Sequence, residues 1–281
     1  MSQTEAPLPP IVFGTDGWRA RIGEDYTYEN VRRCAQGVAA WVRDAGTASK
    51  GVVIGYDRRF SSEHFAQAAA EVLLAYDVPV ALAAQAIPTQ MTSYEVVEHG
   101  FACGVMITAS HNPWTDNGFK IKSPTGSAAS PDILAVVERV IRENAGATPP
   151  TRPLADGEAA GHVQRFDPYP GYVDYVGRSL DLEHLRASDV SVLVDPLWGS
   201  GAAASPALGR GRIRVTEIHS ERNPGSAAST RAHPPQHRRG AVDPWPRAAT
   251  TWACCSMGTR TAPARRTSRA PSSISSRRWA S

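Results

Sequence analysis

The sequence has 281 residues, of which 42% are hydrophobic and 20% charged, and its formal net charge is +3. This composition is that of a globular protein with one large or two ordinary domains, and it excludes fibrous and wholly disordered chains. No window approaches the ~20 apolar residues of a membrane helix, and the amino terminus lacks a basic-then-apolar signal. The cysteines lack the spacing of a disulfide framework or a zinc site; they are Cys34, Cys103, Cys254 and Cys255. We therefore predict a cytoplasmic protein that does not contact the membrane.

The net charge is the sum of two unlike segments. Residues 225–281 contain ten Arg, no Lys, no Leu and a single acidic residue, Asp243, whereas residues 1–224 carry 20 basic and 26 acidic groups. A stretch of 57 residues without leucine cannot bury enough apolar surface to offset its chain entropy. We therefore predict a disordered Arg-rich tail over 225–281. It is either an arm that binds nucleic acid or the product of a GC-rich gene translated in the wrong reading frame.

Strand and helix patterns alternate through the first 145 residues. Apolar residues at spacings of three or four predict a helix over 30–44, with Cys34 on its apolar face, and Cys103 opens a predicted buried strand. In chain order we predict strand 11–13, helix 30–44, strand 51–56, helix 62–75, strand 78–82, helix 92–99, strands 103–108 and 117–122, and helix 133–144. The alternation predicts a layered α/β/α domain with a mixed sheet over residues 1–145.

A second α/β pattern follows a connection rich in proline and glycine. We predict a linker over 146–166 and part of a second α/β domain over 167–224. Within this second region the pattern predicts a helix over 169–179 and strands over 190–195 and 213–218. The pattern stops where the composition changes, so we expect a truncated second domain followed by the disordered tail.

The loop at 108–113 is the first candidate for chemistry. It reads Thr-Ala-Ser-His-Asn-Pro and follows a predicted buried strand. Open α/β sheets bind ligands at the carboxyl ends of their strands, and a serine beside a histidine can be a nucleophile with a base at hand. Polar loops after strands are common, however, so Ser110 and His111 by themselves indicate catalysis only weakly.

The serine loop and four other runs of the sequence form a larger set of motifs. Residues 104–113 read Gly-Val-Met-Ile-Thr-Ala-Ser-His-Asn-Pro, and Asn-Gly-Phe-Lys-Ile follows at 117–121. Residues 13–20 read Phe-Gly-Thr-Asp-Gly-Trp-Arg-Ala, 55–62 read Gly-Tyr-Asp-Arg-Arg-Phe-Ser-Ser, and 194–201 read Val-Asp-Pro-Leu-Trp-Gly-Ser-Gly. The set resembles, in the same order, motifs of the α-D-phosphohexomutases: the phosphoglucomutases, phosphomannomutases and phosphoglucosamine mutases. The run around Ser110 resembles the active-site serine loop of that family.

The resemblance implies a reaction and roles for four residues. Ser110 would carry a phosphoryl group, donate it to a hexose monophosphate and take back the other phosphate after the bisphosphorylated sugar has turned over. A Mg²⁺ ion on the phosphorylated Ser110 would neutralise charge. Lys120 would reach the oxygen that bridges serine and phosphorus, as a cation or proton donor. His111 would be the base or an orienting group. Arg19 would add positive charge over the phosphate. The implied ligands are thus a hexose phosphate substrate, a hexose 1,6-bisphosphate intermediate or activator, and Mg²⁺.

Each of these residues also has a simpler interpretation. On the strand pattern alone, Lys120 is a solvated lysine, and Arg19 is a surface residue. His111 could simply cap its loop. Asp57 and Arg58 are predicted to form a structural pair that braces the serine loop, rather than to contact substrate.

The metal-binding loop of the family, Asp-Gly-Asp-x-Asp-Arg, does not occur in this sequence. Its three carboxylates are the hard oxygen ligands that Mg²⁺ requires. When the codons of residues 251–262 are read from their third bases, with degenerate bases left open, they permit Gly-Leu-Leu-Leu-Asp-Gly-Asp-Ala-Asp-Arg. This string contains the missing loop. We therefore predict a frameshift close to Gly225, natural or from sequencing, and expect the family's sugar-selecting third and fourth domains to be missing as well.

The sequence thus predicts a phosphohexomutase, an intramolecular phosphotransferase of carbohydrate metabolism, whose written polypeptide is a frameshifted fragment with negligible activity. The alternative is a non-catalytic binding protein with an Arg-rich tail that contacts nucleic acid. We disfavour it because such arms mix Lys with Arg and add residues that stack on bases. The sequence specifies neither the hexose nor an oligomeric state.

Overall fold

The structure is a computed structural model of the chain. It describes residues 11–201 and 211–225, and the backbone of three further segments, 251–257, 260–261 and 265–266. Two sheets account for the strands of these residues.

The first sheet has six strands in the order β1-β5-β4-β2-β3-β6. β4, β2, β3 and β6 run parallel to one another, whereas β5 is antiparallel to both of its neighbours, β4 and β1. The sheet is therefore mixed, as predicted. Its strands are β1 (Trp18–Arg21), β2 (Val52–Tyr56), β3 (Val80–Ala83), β4 (Cys103–Ile107), β5 (Asp116–Lys122) and β6 (Val163–Phe166).

Helices cover both faces of this sheet. Successive residues of a strand point to opposite faces of the sheet. Val52 and Ile54 therefore belong to the main core, on the face that the first, second and fourth helices cover. Val53 lies on the other face and packs with Val96 of the third helix. The helices are α1 (Tyr28–Asp44), α2 (Ser62–Ala75), α3 (Thr89–His99), α4 (Pro131–Glu143) and α5 (Leu154–Ala159). Cys34 and Cys103 are both fully buried in the main core, as predicted.

The predicted strand at 11–13 is wrong. Ile11 and Phe13 are buried and Val12 is 61% exposed, which is the alternation of a strand, but the first strand of the sheet is Trp18–Arg21. The Phe13 amide instead donates a hydrogen bond of 2.7 Å to the Glu138 carboxylate of α4. Alternating burial here comes from an extended segment that packs on a helix, and sequence periodicity alone does not distinguish the two.

The segment 146–166 also differs from the linker that we predicted. It contributes the short helix α5 and the strand β6, which pairs in parallel with β3 at the edge of the first sheet. α5 packs through Gly157, where an added Cβ would lie 2.6 Å from the Leu74 side chain of α2. Proline and glycine signals therefore marked the ends of these two short elements, not a free connection.

A second sheet follows in the chain. Its central strand β7 (Ser191–Asp195) pairs in parallel with β8 (Arg214–Glu217) on one side and with β9 (Thr251–Met257) on the other. Two short strands pair antiparallel with β9, namely β10 (Arg260–Thr261) and β11 (Arg265–Arg266). The helices α6 (Tyr169–Gly177) and α7 (Leu182–Ala187) precede β7, which agrees with the predicted α/β pattern over 167–224.

The predicted disorder over 225–281 falls mainly on residues outside the described part of the chain, as does any contact of the Arg-rich tail with nucleic acid. The prediction is wrong for 251–257, which form β9. This run contains Trp252, Cys254 and Cys255 and is the most apolar part of the tail. An apolar run beside an open strand edge can pair with it even when the surrounding composition disfavours a core. No helix among the described residues is long and apolar enough to cross a membrane.

Candidate active site

The candidate site lies where two parallel strands of the first sheet end together. β2 and β4 are neighbours and run parallel, so the turn after β2 and the serine loop after β4 leave the same edge of the sheet. Asp57 follows β2 and Ser110 follows β4 by three residues. The predicted location of the serine loop, at the carboxyl end of a buried strand, is therefore confirmed.

Ser110 is held in an unusual backbone conformation. Its φ is 58°, in the left-handed region that residues with a side chain seldom adopt, and the residue is only 3% exposed. Its amide donates to the Thr108 hydroxyl at 2.9 Å. The Ser110 hydroxyl lies 3.4 Å from Nδ1 of His111, whose side chain is exposed. The predicted Ser–His pair is thus in contact, with the serine buried and the histidine exposed.

The buried carboxylate of Asp57 supports the serine loop. Asp57 accepts hydrogen bonds from the hydroxyl of Thr108 at 2.7 Å and that of Ser62 at 2.9 Å. It also accepts from the Arg59 amide at 3.0 Å and from Arg59 Nε at 3.1 Å. The two side chains of this ion pair are 5% and 0% exposed, so neither charge is available to solvent.

The partner of Asp57 is therefore Arg59, and the predicted pair with Arg58 is wrong. The Asp57 carboxylate accepts a hydrogen bond from the backbone amide of Arg59. This contact folds the turn so that the Arg59 side chain points inward. Arg58 points the other way and donates to the backbone carbonyl of Ser220, in the second α/β region. Two adjacent arginines thus have separate roles: one supports the serine loop and the other contacts the following domain.

Lys120 is not a solvated lysine. The residue is only 1% exposed, and its Nζ lies 2.5 Å from Oδ2 of Asp16. The same carboxylate oxygen lies 3.4 Å from Nη2 of Arg19. Asp16, which sequence reasoning did not select, therefore links two of the predicted site residues.

A glycine brings Asp16 to this position. Gly17 has a φ of +99°, and a Cβ on it would lie 2.7 Å from the Phe119 carbonyl and 2.8 Å from Cγ of Lys120. Only a residue without a side chain lets the turn approach β5 so closely. The turn signal at 14–17 and the strand at 117–122 were both visible in the sequence, but the contact between them was not.

Arg19 also connects the amino-terminal turn to the serine loop. Its Nη1 donates to the side-chain oxygen of Asn112 at 3.1 Å, and Asn112 Nδ2 donates to Asp116 at 3.0 Å. Only a quarter of the Arg19 side chain is exposed. The structure thus brings all four predicted residues into two connected parts of one site, Ser110 with His111 and Lys120 with Arg19, joined through Asn112 of the serine loop.

The electrostatic balance of the site favours an anion. Lys120 and Arg19 contact one half-exposed carboxylate, that of Asp16, and Lys122 follows Lys120 by two residues on the same strand, whereas Arg59 is already paired with a buried carboxylate. Burial lowers the pKa of Lys122, the neighbouring Lys120 lowers it further, and Asp16 opposes the shift. This surplus of cations, linked to the serine loop by the contact of Arg19 with Asn112, is suited to the charge of a phosphoryl group.

The described residues do not fit a magnesium ion by themselves. No group of three or more His, Cys, Asp or Glu side chains in the described part of the chain is arranged to hold a metal. Asp16 is committed to Lys120 and Arg19, and Asp57 to Arg59 and two hydroxyls. These two carboxylates therefore balance protein cations, whereas Mg²⁺ needs oxygen ligands that are free to coordinate it.

Comparison with known proteins identifies this architecture. Residues 10–147 match the family model described as phosphoglucomutase/phosphomannomutase, alpha/beta/alpha domain I. This part of the chain belongs to the α-D-phosphohexomutase family. Phosphohexomutases are isomerases of the intramolecular phosphotransferase class, and the sequence resemblance is thereby confirmed.

Individual relatives agree with the assignment to the phosphohexomutases. A phosphoglucosamine mutase of Synechococcus elongatus is 34% identical over 205 residues, which are 71% of this chain and 40% of that protein. A phosphoglucomutase of Komagataeibacter xylinus is 29% identical over 76% of this chain and 41% of that protein. A crystal structure from Thermus thermophilus, assigned as a phosphomannomutase, has a TM-score of 0.77 at 25% identity, covering 89% of this chain and 55% of that one. The chain thus spans about two fifths of these two curated relatives.

Proposed function

We propose that this protein derives from a phosphohexomutase in which Ser110 carries the phosphoryl group between the 1 and 6 positions of a hexose phosphate. The observation that carries the proposal is the serine loop after β4, together with two cations that share one carboxylate and of which one contacts that loop. Lys120 and Arg19 are both paired with one carboxylate, Asp16, and Arg19 is also bonded to the serine loop. A neutral nucleophile would not need this charge, whereas a phosphoserine would.

The proposed reaction consists of two phosphoryl transfers. In the first, the bond between phosphorus and Ser110 Oγ breaks, a bond forms between phosphorus and the free hydroxyl oxygen of the hexose monophosphate, and the proton of that hydroxyl passes to Ser110 Oγ. The product is a hexose 1,6-bisphosphate and an unmodified serine. After the sugar has turned over, the serine hydroxyl takes the other phosphoryl group and the sugar oxygen regains a proton. Transfer of this kind depends on positioning and charge neutralisation more than on covalent chemistry by the protein.

The side chains of this chain suit those tasks. His111 Nδ1, 3.4 Å from Ser110 Oγ, is within reach to orient the hydroxyl or accept its proton. Lys120 and Arg19 would stabilise charge on the transferred group, and Asn112 fixes Arg19 relative to the loop. Because Lys120 is buried, its ammonium group is weakly hydrated and interacts strongly with an anion.

We further propose that the ligands of Mg²⁺ are lost from the written polypeptide by a frameshift. When bound, this ion would supply charge neutralisation at the phosphoserine. The codons that permit the missing Asp-Gly-Asp-x-Asp-Arg loop are those of residues 251–262, and the backbone of 251–257 lies beside β7 in the second sheet. A restored reading frame would therefore place the carboxylates directly after a strand of the second sheet. The polypeptide as written should have negligible mutase activity.

Two experiments test these proposals. Sequencing the coding DNA from about codon 215 onward decides the frameshift. A third-base frame that stays open well beyond the present stop supports it, and a frame that closes at once contradicts it. A coupled assay of glucose 1-phosphate conversion, run on the written chain and on the frame-restored protein, tests the activity. Turnover by the restored protein that Ser110→Ala abolishes supports the function. Family-like turnover by the written chain would contradict the predicted loss, and no turnover of any hexose phosphate by the restored protein would contradict the function.

A further inference from the structure

We propose that Arg59 is a positioning residue for Ser110: its guanidinium holds the serine loop in the conformation that presents the hydroxyl for phosphoryl transfer. The inference rests on the proposed function for its chemical meaning. Its structural content, the dependence of the loop on Arg59, can be tested without any reaction.

All five N–H groups of the Arg59 side chain have partners. Nε donates to Asp57 at 3.1 Å. Each terminal nitrogen donates to two backbone carbonyls of the segment that runs from the serine to β5, and the distances lie between 2.8 and 3.0 Å; the carbonyls are those of Ser110, Asn112, Pro113 and Asp116. A planar guanidinium is the one side chain whose five donors have fixed relative directions. Arg59 therefore fixes four peptide groups relative to one plane.

The two peptide groups on either side of Ser110 are both held by the same ion pair. Arg59 binds the carbonyl of Ser110 directly. The Ser110 amide donates to the Thr108 hydroxyl, which in turn donates to Asp57, the partner of Arg59. The φ of 58° at Ser110 is strained for a residue with a side chain, and such strain persists only where the surroundings fix it. The Asp57–Arg59 pair is what fixes it here.

The contacts also orient the loop electrically. A carbonyl oxygen that accepts a hydrogen bond from Arg59 cannot at the same time face a phosphate. Four such oxygens, the negative ends of peptide dipoles, are thus directed to the buried guanidinium, away from the side of the loop that meets a phosphoryl group. Arg59 is itself fully buried and need not touch the substrate to act in this way.

Arg58 provides a matched control. It precedes Arg59 directly and carries the same charge, but it donates to the carbonyl of Ser220 instead of to the serine loop. A general effect of replacing an arginine in this turn would appear in both positions. An effect on the serine loop alone should appear only for Arg59.

The experiment compares the full chain with Arg59→Lys and Arg58→Lys. Lysine keeps the positive charge but lacks the planar set of five N–H donors. Amide hydrogen exchange of residues 110–117 should therefore become at least about tenfold faster in Arg59→Lys, while the amides of β2 and β4 stay protected. Arg58→Lys should leave the loop as slow as in the original protein. Equal exchange of 110–117 in the two variants overturns the proposal. So does a loss of protection in Arg59→Lys that extends equally over the whole first sheet.

A measurement on the unmodified chain covers the case in which Arg59→Lys does not fold. Nuclear magnetic resonance resolves the terminal N–H protons of an arginine only when its guanidinium does not rotate. Four separate, slowly exchanging terminal protons for Arg59 support the proposal, and averaged signals overturn it.

Titration with inorganic phosphate separates this inference from the proposed function. The amide signals of Ser110 and His111 should shift on phosphate binding in the original chain and in Arg58→Lys, with an apparent affinity several-fold weaker in Arg59→Lys. If the original chain does not bind phosphate at these residues, the proposed function loses its support, while the exchange and arginine measurements still decide the role of Arg59. If phosphate binds equally well in all three proteins, the positioning role is overturned and the proposed function stands.

Discussion

Lys120 Nζ lies 2.5 Å from Asp16 Oδ2, although the two residues are 104 positions apart in the chain. The lysine is buried, whereas the aspartate side chain is 46% exposed and also contacts Arg19. One carboxylate thus faces two cations, which leaves a net positive charge next to the serine loop that Arg19 contacts. Under the proposed function, Asp16 would balance part of this positive charge until a phosphoryl group is present.

Replacing Asp16 by asparagine should destabilise the protein, because the buried Lys120 ammonium then loses its counter-ion. We expect the free energy of unfolding to fall by about 1–2 kcal/mol, less than for a fully buried pair because Asp16 is half exposed. Urea denaturation of Asp16→Asn measures it. The control is Glu24→Gln, which removes an exposed ion pair with Arg21 and should change stability by less than about 0.5 kcal/mol. Equal losses in the two variants would show that Lys120 does not depend on Asp16.

Replacing Asp57 by asparagine should have a larger effect. The change is isosteric, but it leaves the fully buried Arg59 cation without a negative partner. Removing one member of a buried ion pair costs about 3–5 kcal/mol. Thermal or urea unfolding should show this loss, whereas Glu143→Gln, which breaks an exposed pair with Arg139 on α4, should be nearly neutral. A loss below about 1 kcal/mol for Asp57→Asn would refute the assigned role of the pair.

Two substitutions of Ser110 should separate chemistry from backbone strain. Ser110→Ala and Ser110→Gly both remove the hydroxyl, so neither protein can be phosphorylated at this position. Because φ at Ser110 is 58°, the glycine variant adopts the loop conformation without strain and should be more stable than the alanine variant by roughly 1 kcal/mol. Unfolding measurements on the two variants test the difference. Alanine equal to or more stable than glycine would mean that the loop relaxes to another conformation.

Glu95 on α3 should make stability depend on pH. Burial raises the pKa of its carboxyl above the ordinary 4.5, His99 at 3.4 Å opposes the shift, and Glu98 adds to it. The folded protein therefore keeps a proton on Glu95 at pH values where the unfolded chain has lost it. Stability should accordingly fall as the pH rises from the unfolded value toward the raised folded value.

The substitution Glu95→Gln should remove this fall, because glutamine does not titrate. Urea midpoints measured across pH 4 to 7 for the original chain, Glu95→Gln and the exposed control Glu143→Gln test it. The first and third proteins should lose stability in the lower part of this range, relative to Glu95→Gln. Parallel curves for all three would contradict the prediction.

The positions of Ser110 and Lys120 could be predicted because strong strand patterns precede and contain them. β4 and β5 were predicted to within a residue or so, and the serine loop follows from their connection. The pairing of the two arginines could not be predicted in the same way. Which of Arg58 and Arg59 points inward depends on the turn that the Asp57 carboxylate makes with its own backbone, a contact that leaves no periodic pattern in the sequence.

Asp16 was missed for a different reason. Its turn was visible in the sequence, but its importance comes from a contact across the sheet with β5, and a single sequence does not contain that distance. The helix and strand within 146–166 were not predicted because short elements carry few residues of pattern. A four-residue edge strand such as β6 forms when a neighbour of matching length is already present, and its own sequence only weakly specifies it.

β6 has a practical consequence for how the protein can be divided. The matched family region ends at residue 147, yet the amide of Val80 bonds to the carbonyl of His162 and that of Ala84 to the carbonyl of Phe166. A fragment cut at 147 would expose the edge of β3, whose four residues are all buried in the intact sheet. Such an edge invites pairing between molecules and precipitation. Limited proteolysis should therefore leave a soluble product that ends after Phe166, and expression of residues 10–147 alone should yield aggregates.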